Sequence, residues 1–316
     1  MAGPVVAVLG PTACGKSALG MALAARLGGE IINCDSTAVY RGFDIGTDKV
    51  AVSEQQGIPH HLIDVADPRE VYSAARYARD AAALIRDMHA RGRLPVLVGG
   101  TGFYFRALTR GLFPGPAADE ALRARLVRVA KRRGPEALHR WLGRVDPVSA
   151  ARIMPRDRLR LVRALEVYRL TGRVLSEHFA ETASLITDCH VVALGVRIPM
   201  ALAEERITRR VEAQFARGIM GEVEGLLASG VPADARPFGG LVYRQVMELR
   251  AGVRDEPATR ALIVQENRRY ARRQLIWFRK EPTLVWLDGP GESEPTLHAA
   301  LSALRARGIS LEGQSH

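Results

Sequence analysis

The chain has 316 residues, 47% hydrophobic and 25% charged, enough to bury a sizeable core, which excludes a disordered or low-complexity polypeptide. Its formal net charge of +11 favours a polyanionic partner, nucleic acid first and an anionic membrane surface second, against the plainer reading of a surface made soluble with arginine. The three cysteines, Cys14, Cys34 and Cys189, form no C-x-x-C pair and lack zinc-ligand spacing, so a zinc module is excluded and a reducing, cytoplasmic setting is expected.

In chain order, "PVVAVLG" at 4–10 reads as a buried strand, too short for a membrane span, and no membrane association is expected. Apolar residues at helical spacing follow over 16–27. "EIINCDS" at 30–36 predicts a second strand and "HHLIDV" at 60–65 a third. An amphipathic helix is predicted over 73–92, with Ser73 as its cap and Gly92 as its stop. "LPVLVGGTG" at 94–102 is another buried strand. Strands alternating with helices predict an α/β fold with a doubly wound parallel sheet. The breaker "FPGPAAD" at 113–119 opens a stretch that reads as wholly helical to 175. From 121 to 175, 15 Lys/Arg face 4 Asp/Glu, a local net charge of +11 that includes Arg123. "CHVVALGVRIP" at 189–199 resumes the sheet, and further helices are predicted over 200–281. The expected organisation is a discontinuous core of 1–115 and 186–290, a basic helical insertion of 116–185 and a tail of 291–316.

The stretch "GPTACGKS" fits Gly-x-x-x-x-Gly-Lys-Ser, and its strand–loop–helix setting is the one a phosphate-binding loop requires. Gly10, Pro11, Thr12, Ala13, Cys14 and Gly15 would turn backbone N–H groups onto phosphate oxygens at a helix N-terminus. Lys16 adds a point charge, and Ser17 is the candidate ligand for a Mg²⁺ bridging the phosphates. The acidic strand end of an ordinary ATPase is missing after "LPVLVGG". The acidic end belongs instead to "IINCDS", where Asp35 stands beside the phosphate donor and could take a proton from an incoming nucleophile; capping a turn or holding the metal's water are its alternatives.

Six blocks occur in order: "GPTACGKS", "CDSTAVYRGFDIGTDK", "IPHHLIDVADPREVYSAARYARDA", "LPVLVGGTGFYFRAL", "DRLRLVRALEVYRLTG" and "NRRYARRQLIWFRKEP". Together, over about 4–286, the chain resembles the tRNA dimethylallyltransferase family of the bacterial type. The resemblance implies a P-loop NTPase-like core that holds the diphosphate of dimethylallyl diphosphate with Mg²⁺ instead of ATP. The acceptor would be N6 of the adenosine 3′ of the anticodon, in the anticodon stem-loop of tRNAs reading codons that begin with U, with pyrophosphate released. Asp35 would take the N6 proton. Ser36, Thr37 and Ala38 would line the flipped base, Thr101 would touch substrate, and Leu159, Arg160, Leu161, Val162 and Arg163 would contact tRNA. Because an allylic C–O bond ionises readily once diphosphate charge is stabilised, Lys16, Mg²⁺ and a further arginine should clamp the leaving group, and Arg210 is the candidate. The enzyme is expected to act as a monomer.

Two departures stand out. Ala38 sits where the family commonly has glutamine, and "GGLVYRQV" replaces a more usual "IGYRQ", read as a mild change. Trp277 and Phe278 are read as core anchors, His60 and His61 as facing opposite sides of a strand, Arg41 as a partner for phosphate or Asp44, and the cysteines as buried. Two rivals share the loop and Asp35: a P-loop kinase of a small metabolite, and an isopentenyltransferase acting on free AMP or ATP. Neither needs so large a basic insertion.

Overall fold

The computed structural model describes residues 3–113 and 115–309; Pro114, within the predicted breaker, and 310–316, the end of the predicted tail, lie outside the described residues. Its centre is β1 (Pro4–Leu9), five of whose six residues are buried. Around it a six-stranded, wholly parallel sheet runs in the order β3 (His60–His61), β2 (Gly29–Asn33), β4 (Leu94–Gly99), β1, β5 (His190–Arg197), β6 (Leu284–Asp288). Both faces are covered, so the strands read as continuous apolar runs. The chain fills one side of β1 with β2, β3 and β4, then crosses to the other side for β5 and β6. Such a reversal opens a crevice at the carboxyl ends of the central strands.

Helix α1 (Lys16–Leu27) packs Leu19 and Leu23 into the core that Val6, Val8 and Val98 form beneath it. Helix α2 (Ala74–Ala90) starts at Ser73, whose hydroxyl accepts from the Arg76 N–H at 3.1 Å. The predicted third strand shrinks to two residues because Leu62 and Asp64 take left-handed φ values of 60° and 56°, which no strand accommodates. The stretch expected as a tail, 291–316, carries a helix, Glu294–Arg305, whose Ala300 and Leu304 join the same core as α1. Val242 has φ 75°, in the region that favours glycine. The substitution read as mild therefore puts a β-branched residue where strain of about 1–3 kcal/mol is expected.

Contacts divide the chain into two compact units, one ending at Leu108 and resuming at Ile186, the other Thr109–Leu185. The second unit is helical: α3 (Gly102–Arg110) leads into it, and α4 (Glu120–Arg133), α5 (Pro135–Val145), α6 (Pro147–Arg152), α7 (Arg158–Thr171) and α8 (Leu175–Ala180) form it. Its own core holds Leu126, Leu138, Leu142, Leu161 and Leu165. Over 109–185 there are 16 Lys/Arg and 8 Asp/Glu, a net +8, so this unit carries most of the chain's excess charge.

Strand β2, which leads to Asp35, is pinned at its start. Buried Glu30 accepts from Arg91 at 2.6 and 2.9 Å and lies 2.8 Å from His61 Nε2. The Arg91 hydrogen bonds, aided by His61, outweigh burial and hold the Glu30 carboxyl at about 2. A carboxylate whose folded pKa is depressed stabilises the fold above its unfolded pKa and loses that contribution as pH falls through the folded value. Arg91 is 43% exposed, so screening limits the contribution to about 2 kcal/mol. Urea unfolding of wild type and Glu30→Gln should differ by that amount at pH 7, and the difference should vanish as pH falls from about 4.5 toward 2.

Candidate active site

The phosphate loop leaves β1 and ends at Gly15, the residue before α1. Gly15 has φ 87°, and a Cβ there would stand 2.1 Å from Glu292 Oε2 and 2.7 Å from the Gly291 nitrogen, so only glycine fits. No side chain caps α1, which leaves its first-turn N–H groups pointing at an incoming anion. Lys16 Nζ donates to the Pro11 carbonyl at 3.3 Å, folded over the loop it would serve. Ser17 is exposed, and its hydroxyl has no hydrogen-bond partner among the described residues. The Cys14 side chain is fully buried among Val6, Val8 and Leu194, and burial pushes its thiol up. Of the loop residues expected to touch diphosphate, Cys14 can therefore offer only its backbone, and so can Pro11 and Ala13, which are also buried.

Two side chains tie this loop to its surroundings. Gln274, on α12 (Glu256–Phe278), accepts from the Thr12 N–H at 2.9 Å and donates to the Gly100 carbonyl at 2.8 Å, bridging the turns that follow β1 and β4. Arg210, on α9 (Met200–Ala216), donates to Thr12 Oγ1 at 2.9 Å and pairs with Asp48 at 3.0 Å. The arginine expected as an extra clamp is thus held at the loop.

Asp35 lies two residues past the end of β2, not within the strand as predicted. Its Oδ1 accepts from the Thr37 N–H at 2.9 Å and the Thr37 hydroxyl at 2.6 Å, which fixes the carboxylate's direction. Thr101 braces the neighbouring strand end: its N–H donates to the Cys34 carbonyl at 3.1 Å, and its hydroxyl accepts from the Ser36 N–H at 3.0 Å.

Lys16, Ser17, Arg210 and Asp35 line one cleft of about 840 Å³, together with an apolar wall that includes Ile31, Val50, Ile63 and Val98. Ala38 lies in this cleft, whereas Ser36, Thr37 and Thr101 line a separate recess of about 1040 Å³ with Tyr72, Phe103 and Arg236. The three residues expected to line a single base pocket are therefore split between two cavities. His60 faces the cleft and His61 turns to Glu30, in keeping with their alternation along a strand. Burial lowers the pKa of His60.

Sequence reasoning missed several lining residues. Tyr270 and Gln274 are four apart on α12 and so share one helical face. Both reach the cleft. Burial, and then the nearby Asp35 charge, raise the Tyr270 phenol and keep it protonated. Asp48 and Lys49 also line the cleft. Lys49 takes the Asp44 partner expected for Arg41, at 2.8 Å, and Arg41 faces Asp67 at 3.5 Å instead. Phe278 is fully buried, as a core anchor should be, while Trp277 is half-buried under the Arg106 guanidinium, 4.5 Å from its ring centroid. Cys189, expected to be buried, is partly exposed.

In the helical unit the expected tRNA contacts separate. Leu161 and Val162 are 0% and 6% exposed and belong to the unit's core, so their side chains cannot reach a nucleic acid. Arg123 and Arg163 both grip the fully buried Glu166, at 2.9 and 2.7 Å, and the Asp119 N–H completes its shell. Burial pushes the Glu166 carboxyl up, but these donors outweigh it and leave it below the usual range. Leu159 and Arg160 stay exposed at the start of α7. On α4, Arg125, Arg128 and Arg132 are exposed without an ion pair among the described residues, and their i, i+3, i+7 spacing aligns them on one side. These are better placed to meet phosphates than the two locked arginines.

A model of the IPP transferase family matches residues 38–281. The chain is 43% identical over 298 residues to the tRNA dimethylallyltransferase of Geobacter metallireducens, covering 94% of this chain and 96% of that one. It is 46% identical over 302 residues to the protein of that name from Solibacter usitatus, covering 94% and 97%. Among solved structures, a tRNA isopentenylpyrophosphate transferase from Bacillus halodurans matches with a TM-score of 0.70 at 35% identity, covering 96% of this chain and 97% of that one. A eukaryotic dimethylallyltransferase described as acting on tRNA matches with a TM-score of 0.77 at 26% identity, covering 96% of this chain and 78% of that one.

Proposed function

The chain belongs to the IPP transferase family, and from that premise we propose that it moves a dimethylallyl group from dimethylallyl diphosphate to N6 of the adenosine 3′ of the anticodon, in tRNAs reading codons that begin with U. The observation that carries this reading is the cleft in which Lys16, Ser17 and Arg210 share walls with Asp35 and an apolar surface. A five-carbon chain suits that surface.

The chemistry asks two things of the protein. Adenine N6 is a poor nucleophile, because its lone pair is delocalised into the ring, so the allylic C–O bond must be well advanced toward ionisation when N6 attacks. Lys16, Arg210 and the first-turn N–H groups of α1 meet the charge that grows on the departing diphosphate. As the N6–C bond forms and the C–O bond breaks, the C–O electron pair leaves with pyrophosphate and Asp35 takes the N6 proton. Thr37 leaves Asp35 Oδ2 to face the acceptor, and the Asp35 charge also favours the nearby allyl cation. Thr101 and Ser36, in the adjoining recess, would hold the base once it leaves the anticodon stack. Ser17 fits Mg²⁺, because it offers a partnerless hydroxyl oxygen at the loop, and a hard cation takes oxygen ligands. When bound, the ion would neutralise charge on the diphosphate oxygens. The basic helical unit would bind tRNA phosphates, with affinity falling as salt rises. With tRNA as its substrate, the enzyme is expected to act in the cytoplasm, and as a monomer.

A transfer assay tests the reading: the protein, Mg²⁺ and radiolabelled dimethylallyl diphosphate, incubated with unmodified tRNA, with AMP, or with neither, and with ATP withheld. Label should appear in tRNA alone. Label in AMP would move the activity to free nucleotides, and no label in either would return the loop to ATP and a kinase.

A further inference from the structure

The outer side of the phosphate loop carries an ion pair that the mechanism above does not use. The loop between β6 and the C-terminal helix lies against it: the Gly291 N–H donates to the Cys14 carbonyl at 2.9 Å, and a Cβ on Gly291 would come within 2.3 Å of the Gly15 carbonyl oxygen. The next residue, Glu292, places a carboxylate directly on Gly15, the last residue before Lys16. Arg206, one turn before Arg210 on α9, meets that carboxylate at 2.5 Å and reaches the Ala13 carbonyl at 3.4 Å. Ala13 has φ 65°, a left-handed conformation uncommon for alanine. The side chain of Arg206 is only 21% exposed, and its Nε is buried without a partner among the described residues. Burial raises the Glu292 carboxyl, but the Arg206 hydrogen bond outweighs it and leaves Glu292 ionised at neutral pH. A fixed anion thus rests on a loop whose task, on the function proposed above, is to bind another anion.

We propose that Arg206 is a positioning residue for the diphosphate: it neutralises Glu292 against Gly15 and holds the Ala13 peptide in the orientation that presents the loop's N–H groups. The C-terminal loop can then buttress the phosphate loop without repelling its ligand. Arg206 itself touches no substrate. Removing it would leave an unpaired carboxylate a few ångströms from the diphosphate, in a partly desolvated setting where like charges weaken binding strongly.

The test separates this idea from the function it rests on. Magnesium pyrophosphate is titrated calorimetrically into the full chain, and KM and kcat for prenyl transfer are measured alongside, with a thermal melt of each variant. Arg206→Met should weaken pyrophosphate binding and raise the KM for the dimethylallyl donor by about tenfold or more, with the KM for tRNA unchanged. Adding Glu292→Gln to Arg206→Met should recover most of that loss, and Glu292→Gln alone should bind pyrophosphate at least as tightly as wild type. Wild-type binding by Arg206→Met, or a loss that persists in the double variant, would overturn the proposal. Should Arg206→Met fail to fold, Arg206→Lys decides: binding within about threefold of wild type supports charge neutralisation, and a tenfold loss sinks it. If wild type binds pyrophosphate in this pattern yet transfers no prenyl group, the function fails and the role of Arg206 stands.

Discussion

Asp35→Asn is expected to lower kcat for prenyl transfer by about 10²–10⁴-fold while tRNA binds as before. The amide keeps the size of the carboxylate, and its oxygen can still accept from the Thr37 N–H and hydroxyl, which hold Oδ1 at 2.9 and 2.6 Å in the native protein. The turn after β2 should therefore keep its shape. What disappears is the group that takes the N6 proton and the charge beside the allyl cation. Filter binding of tRNA and single-turnover transfer separate the two effects. Turnover near wild type would mean that Asp35 only caps its turn and that another group accepts the proton.

The second large effect is expected at Lys16. Lys16→Met keeps most of the side chain's length and removes its charge, and kcat/KM for the dimethylallyl donor should fall by about 10²–10³-fold. Lys16 begins α1 and lines the cleft with Ser17 and Arg210, so the loss should fall on the diphosphate, with the KM for tRNA little changed. A variant that loses tRNA affinity while holding pyrophosphate normally would place Lys16 on the wrong substrate. The pair Lys16→Met and Asp35→Asn also distinguishes the roles: pyrophosphate binding should suffer in the first variant only.

What could be read from the chain alone was what is local along it. The phosphate loop is eight consecutive residues between a strand and a helix, so its geometry follows from glycines and spacing. Asp35 was legible because it lies just past the strand that follows the first helix. The parallel sheet followed from the alternation of elements. Features made by distant partners were not legible. Nothing near Gly15 announces that Gly291 and Glu292 rest on it, and nothing near Thr12 announces Gln274. Charge counting misled for a related reason. Arg123 and Arg163 count as +1 each in the sequence, yet both are committed to Glu166, a partner visible only once α4 and α7 are packed. Helical phase would have flagged Leu161 and Val162 as inward, had the basic segment been read for its apolar face as well as its charge. Val242 looked mild because its strain lies in a φ of 75° and not in its chemistry.

The order of the strands also shapes how the protein is made. β1 hydrogen-bonds to β4 on one side and to β5 on the other, and β5 begins at His190, after the whole helical unit has been synthesised. At roughly 5–20 residues per second, a ribosome needs on the order of 10–40 s to pass from β1 to β5. During that time the central strand has one open edge, while the helical unit, built from contacts close in sequence, can close on its own core. The strap that backs the phosphate loop comes later still, with Gly291, so a nascent chain can complete its basic helices well before it can grip a diphosphate.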